Sequence, residues 1–138
     1  MKAILQWEKG MNFRGKAETG VWVPVGPSKP ESGEPSAASP MEMLLIALAG
    51  CTSMDVVYIL EKKRVRLDNF HVDIDAVKTE DHPKVFSAIH LRFVFTGKGL
   101  KMKDLEQAVA LSAEKYCSVG AMVGKVAKIT HEIMVAES

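Results

Sequence analysis

Ser39–Arg64 reads SPMEMLLIALAGCTSMDVVYILEKKR, a stretch with two recognisable helix ends and a cysteine at its middle. Ser39 suits an N-cap, and Pro40 suits the first helical position, where a missing N–H costs nothing. Glu42 stands three residues after Ser39, in capping-box spacing. At the other end Lys62, Lys63 and Arg64 complement the carbonyl end of a helix dipole. The stretch therefore predicts a central helix of about two dozen residues, roughly 36 Å long at the α-helical rise. Met43 to Cys51 is continuously apolar or small, so burial is expected on most sides rather than along one stripe. Ala47, Ala49, Gly50 and Ser53 keep the side around Cys51 low, which leaves room for another backbone to approach closely.

The rest of the chain must wrap that helix. With 138 residues, 47% apolar and 25% charged, the expectation is a single domain over 1–138 with a real core. A net charge of +1 with interspersed signs argues against a nucleic-acid partner, which would call for a basic face. The N-terminal MKAILQWEKG lacks a signal-peptide core, and the nine-residue apolar run falls short of the roughly 18 residues of a membrane span. A soluble, cytoplasmic protein with no membrane partner is expected. Two cysteines separated by 66 positions make no secreted disulfide scaffold, and no CxxC or HExxH pair offers metal-ligand spacing. Neither a metal nor a cofactor is expected.

Before the helix, Lys2–Glu8, Met11–Lys16 and Gly20–Val23 predict a three-stranded meander. Residues 24–39 carry four of the six prolines and are either a plain connector or a flap beside a site. After the helix, Leu67–Lys78 and Val85–Thr96 alternate as a hairpin around Asp81-His82-Pro83. Phe70, Val72, Ile74 and Ala76 share one face with the facing line Ile89, Leu91, Phe93 and Phe95 as its match. Lys103–Glu114 and Cys117–Ala127 have helical spacing, and Lys128–Glu137 closes as a strand. This order is α+β, with antiparallel sheets wrapped around a long central helix. So apolar a helix makes a homodimer attractive, with two central helices covered by sheets from both chains.

Pro40-Met41-Glu42-Met43-Leu44-Leu45, Ala49-Gly50-Cys51-Thr52-Ser53-Met54-Asp55 and Glu114-Lys115-Tyr116-Cys117-Ser118-Val119 together resemble the osmotically induced protein C and organic hydroperoxide resistance (OsmC/Ohr) superfamily. The chain is most similar to its branch of small OsmC-like redox proteins. The resemblance implies an intertwined α+β homodimer and a thiol-dependent peroxidase acting on organic hydroperoxides. It further implies Cys51 as the peroxide-reactive thiol, Cys117 as the resolving thiol and an external dithiol as reductant. Such a cycle passes from thiolate to sulfenic acid to disulfide.

One family feature is missing. In the characterised peroxidases a carboxylate ten residues before the first cysteine holds a thiolate-stabilising arginine, and here that position is Met41. Glu42 falls about 180° round the helix from Cys51 and suits the capping box better. Asp55, four residues after Cys51, shares its face; a bare carboxylate there disfavours a thiolate, so it helps only by orienting a base or an arginine. Arg14 is the supporting arginine suggested by region, with Arg64, Arg66 and Arg92 as alternatives. Lys115 beside Cys117 offers a charge to lower that thiol's pKa, and Met41, Met43, Met54 and Met122 are either core or the lining of an apolar pocket. His71, His82, His90 and His131 are scattered and read as surface or satisfied histidines. Two other readings stay open: a non-catalytic binder of a small apolar or thiol-bearing ligand, and a redox sensor in which a disulfide alters a partner surface.

Overall fold

The capping box at Ser39 forms as its spacing requires. The Ser39 backbone N–H donates to Glu42 Oε1 at 2.9 Å, and the Glu42 N–H donates to Ser39 Oγ at 3.3 Å. Helix α1 then runs over Pro40–Lys62 in the computed structural model, which describes residues 1–137. The chain divides into two compact units, residues 1–46 and Ala47 onward.

The first unit holds a three-stranded antiparallel sheet of β1 (Ile4–Lys9), β2 (Asn12–Lys16) and β3 (Val23–Val25) in the order β1-β2-β3. The third strand lies further along than Gly20–Val23, and includes Pro24, opposite Arg14. Proline is tolerated there because β3 is an edge strand with one side free of ladder bonds. No apolar side chain of residues 1–46 is fully buried, and Ile4, Leu5, Trp7, Met11 and Val21 are exposed.

The second unit carries the core. Strands β4 (Asn69–Lys78) and β5 (Phe86–Thr96) form the expected antiparallel hairpin, with Phe70 directly opposite Phe95 and their rings stacked at 4.6 Å. Ile89, Leu91, Phe93 and Phe95 alternate into the core from β5. Strand β6 (Lys128–Ala136) pairs with β5 in parallel, so the second sheet is mixed rather than antiparallel. The cause is the connection. Helices α2 (Met102–Leu111) and α3 (Ser118–Val123) make a crossover that returns the chain to the starting end of β5.

Helix α1 is not buried on most sides of a single chain. Leu48, Thr52, Val56 and Leu60 form one line at four-residue spacing, with Ala49 beside it, while Leu44, Ile46, Met54, Val57 and Tyr58 are exposed. Within one chain the helix is open at Gly50, where an added Cβ would meet nothing within 4 Å.

Candidate redox site

Two features of the second unit bring its thiols together. The first is the α1 line itself. Thr52 is the one polar residue in it, 4% exposed, and its Oγ1 lies 3.2 Å from both the Leu48 carbonyl oxygen and Cys117 Sγ. A hydroxyl has a single proton, so it bonds back to Leu48 O or donates to the sulfur, but not both at once. When it bonds back to the helix, the Cys117 S–H can donate to the hydroxyl oxygen. When Cys117 is a thiolate, the hydroxyl proton turns to it.

The second feature is the break after α2. Its apolar line Leu105, Ala108 and Val109 continues into Ser112, where the chain widens into a π-turn over Ser112–Tyr116. The Cys117 N–H closes that turn on Ser112 O at 2.8 Å. Cys117 then turns extended and becomes the N-cap of α3, its Sγ accepting from the Gly120 N–H at 3.2 Å. A Cβ at Gly120 would stand 3.1 Å from that sulfur, so the absence of a side chain allows the close approach. π-turns interrupting helices are frequent at functional sites.

Cys117 is 4% exposed, whereas Cys51 is half-buried at the margin of the α1 line; both are free thiols. Burial pushes the Cys117 thiol above its ordinary pKa. The Thr52 and Gly120 donors oppose that rise, and the neighbouring Cys51 thiol adds to it. Cys117 is thus a proton-bearing thiol at neutral pH, with two donors waiting for its anion. Lys115 does not lower this thiol; its ammonium lies over the Tyr116 ring at 5.4 Å.

The supporting residues are placed as follows. Asp55 Oδ2 accepts from Ser112 Oγ at 2.7 Å, so it orients neither a base nor an arginine in this contact. Ser112 is fully buried, and its hydroxyl also lies 3.4 Å from Thr52 O, tying the π-turn to α1. Glu42 serves the capping box, and Met41 is half-buried in the first turn of α1. Arg14 belongs to the first unit, with its guanidinium 4.2 Å from the Trp22 ring centroid and its Nε 3.9 Å from a Glu8 carboxylate oxygen. Arg92 donates from Nε to Glu132 Oε1 at 2.8 Å on the polar face of the second sheet, and Arg66 lines a separate recess with Asp68 and Lys98. Arg64 lies beyond the end of α1, roughly 17 Å of helix or more from Cys51.

His90 is satisfied by Thr130 at 2.8 Å and Glu132 at 3.3 Å, as a surface histidine should be. His131 is different. It lines a half-open cavity of about 310 Å³ together with Thr52, Cys117, Phe93, Val109 and Lys128, its ring edge-on to Phe93. Met54 and Met122 are exposed. Sequence reasoning gave no role to Thr52, Ser112 or Gly120. The available signal was a hydroxyl interrupting an apolar line, at Thr52 after Leu48 and at Ser112 after Leu105, Ala108 and Val109, because a buried hydroxyl needs a partner.

A family model described as OsmC-like protein matches residues 33–132, which include α1, β4, β5, the start of β6 and both cysteines. The chain belongs to the OsmC-like family. Protein YhfA of Escherichia coli (strain K12) is 40% identical over 131 residues, which are 95% of each chain. A hypothetical protein from Aquifex aeolicus VF5 has a solved structure with 34% identity and a TM-score of 0.81, over 98% of this chain and 96% of that one. An organic hydroperoxide resistance protein OsmC from Legionella pneumophila shares the fold at a TM-score of 0.68 and 16% identity, over 97% of each chain. Within this OsmC-like fold α1 is long and apolar enough to cross a membrane, unlike the nine-residue run considered alone. Its Leu48–Thr52–Val56–Leu60 line is packed inside the chain, while Leu44, Ile46, Met54, Val57 and Tyr58 on the same helix are exposed.

Proposed function

We propose that this OsmC-like protein is a cytoplasmic, homodimeric thiol peroxidase that reduces organic hydroperoxides through Cys51 and Cys117. The observation that carries the reading is the asymmetry of two neighbouring thiols: a half-buried Cys51, and a buried Cys117 that keeps its proton and has two donors in place. The Cys51 thiolate attacks one peroxide oxygen. The O–O bond breaks, an alkoxide leaves and is protonated to the alcohol, and Cys51 becomes a sulfenic acid. The Cys117 sulfur then attacks the Cys51 sulfur. The S–O bond breaks, hydroxide takes the proton that Cys117 gives up, and water leaves behind a disulfide. An external dithiol supplies two electrons to restore both thiols.

Exposed apolar surface on each unit supports the dimer. Residues 1–46 bury no apolar side chain fully, and α1 exposes Ile46 (61%), Met54 (75%) and Tyr58 (58%). A three-stranded sheet without a buried apolar face is not stable alone, and a second copy supplies the cover. A cytoplasmic setting keeps both thiols reduced between turnovers.

The direct test counts free thiols after about one equivalent of cumene hydroperoxide is added to the reduced protein. Both thiols per chain should disappear, faster than with hydrogen peroxide. Cys51→Ser should abolish peroxide consumption, and Cys117→Ser should leave one turnover. Steady-state consumption surviving in Cys51→Ser would sink the proposal. A second reading is favoured by the cavity, whose volume of about 310 Å³ reaches the lower range of ligand pockets. In that case the protein binds a small apolar or thiol-bearing ligand without turnover, and native mass spectrometry should find it co-purified.

A further inference from the structure

The cavity reaches Cys117, and among the described residues that line it Cys51 is absent. Its walls include Leu48, Phe93 and Val109, its lining also includes Thr52, Lys128 and His131, and it gives an opening onto the otherwise buried Cys117. Thiol–disulfide exchange requires the attacking thiolate to reach one sulfur in line with the bond it breaks. In a Cys51–Cys117 disulfide the two sulfurs are not equivalent in this respect.

Building on the two-cysteine reading, we propose that the cavity directs a reducing thiol to Cys117 Sγ, so that the mixed disulfide forms on Cys117 and Cys51 leaves as the thiolate. In the first step a reducing thiolate forms a bond to Cys117 Sγ, the Cys51–Cys117 bond breaks, and its electron pair departs on Cys51. In the second, another reducing thiolate attacks the reductant's sulfur in that mixed disulfide. The reductant leaves as its own disulfide, and Cys117 leaves as a thiolate.

The donors around Cys117 are arranged for that second departure. Thr52 Oγ1 and the Gly120 N–H both stand 3.2 Å from Sγ, and the Thr52 proton turns from Leu48 O to the sulfur as charge develops there. The order also restores Cys51, the peroxide-facing thiol, before the reductant has left.

The inference is separable from peroxidase activity because the disulfide can be made with diamide instead of peroxide. The oxidised full-length protein is mixed briefly with about one equivalent of benzyl mercaptan and quenched in acid. Released thiols are then blocked with N-ethylmaleimide, and both cysteines are mapped by peptide mass spectrometry. The expected result is benzyl mercaptan on Cys117 and maleimide on Cys51, at least tenfold over the reverse pattern. Benzyl mercaptan on Cys51, or on both equally, overturns the inference while leaving the peroxidase reading intact. Failure of diamide to make the disulfide overturns both. As a second measurement, Ala113→Trp places a large ring on the cavity wall. It should slow disulfide reduction by benzyl mercaptan at least tenfold, and an unchanged rate removes the cavity as the route.

Discussion

Replacing Thr52 by Val removes one hydroxyl and little else in shape, at a position 4% exposed on the core line of α1. The hydroxyl back-bonds to Leu48 O within the helix, whose carbonyl keeps its helical hydrogen bond, so the fold should lose no more than about 1 kcal/mol. The effect on Cys117 is larger for one ionisation state than the other. A hydrogen bond to a charged acceptor contributes about 1.5–3 kcal/mol and one between neutral groups about 0.5–1.5 kcal/mol. The difference of about 1 kcal/mol falls on the thiolate, and converts to roughly a fivefold smaller thiolate population at fixed pH. The measurement is pseudo-first-order alkylation of Cys117 by iodoacetamide in a Cys51→Ser background, across pH 7–10, with and without Thr52→Val. A fall of about fivefold below the titration midpoint, with the same plateau rate at high pH, is expected. Equal rates would mean that the hydroxyl proton stays on Leu48 O, and the role assigned to Thr52 would be refuted.

Ser112→Ala strips the Asp55 carboxylate of a 2.7 Å donor at the margin of the core, a loss of about 1.5–3 kcal/mol that urea unfolding should register as a lower midpoint at unchanged slope. Gly120→Ala introduces a Cβ 3.1 Å from Cys117 Sγ, so the sulfur must shift; diamide-driven disulfide formation should change in rate while circular dichroism stays native. Because the folded-state pKa of Cys117 is raised, its contribution to stability is intact below the unfolded thiol value of about 8.5 and is lost as pH rises through the folded value. Comparing urea midpoints at pH 7.5 and 10 should show a steeper fall for the native chain than for Cys117→Ala. In analytical ultracentrifugation the 15.1 kDa chain should sediment as the proposed dimer, and substituting Met54, 75% exposed on α1, by Asp should shift it toward monomer; a monomeric native chain refutes the dimer, and a variant of undiminished affinity puts the interface elsewhere.

How much of this was legible in the sequence varies with the range of the interaction. The capping box at Ser39 and Glu42 involves residues three apart, and its spacing alone implies its hydrogen bonds. The hairpin of β4 and β5 was equally plain, because period-two alternation names the buried faces and the short turn sets the pairing. The parallel pairing of β6 was not, since it depends on where a crossover of two helices delivers the chain. The expectation of all-round burial for α1 came from composition, which does not distinguish a face covered within one chain from a face left open on it. The π-turn that aims Cys117 has no local signature in Ser112–Tyr116, because it exists through Ser112's bonds to Asp55 and Thr52, both about 60 positions away. The family resemblance pointed to the cysteines; their surroundings required the fold.

The geometry also explains why Thr52 and Cys51 divide the work as neighbours. Successive helical residues differ by about 100°, so a residue next to one on the core line sits at the line's margin. Thr52 on the line touches Cys117 within the core, and Cys51 at the margin remains partly open. Moving the thiol one position along would reverse this, sealing the cysteine in the core and placing the hydroxyl at the edge. Asp55, four residues on, repeats Cys51's marginal placement, and is held by Ser112 rather than left as a bare charge free to turn toward the thiol. The carboxylate that would otherwise oppose a thiolate on the same face is thereby committed to anchoring the turn that presents Cys117. With Met41 at the position of the family's arginine-holding carboxylate, the hydrogen bonds to Cys117 Sγ come from two neutral donors, Thr52 Oγ1 and the Gly120 N–H. In the proposed cycle, release of Cys117 is therefore the step most exposed to mutation of its neighbours, and Thr52→Val should slow disulfide reduction more than it slows the first attack on peroxide.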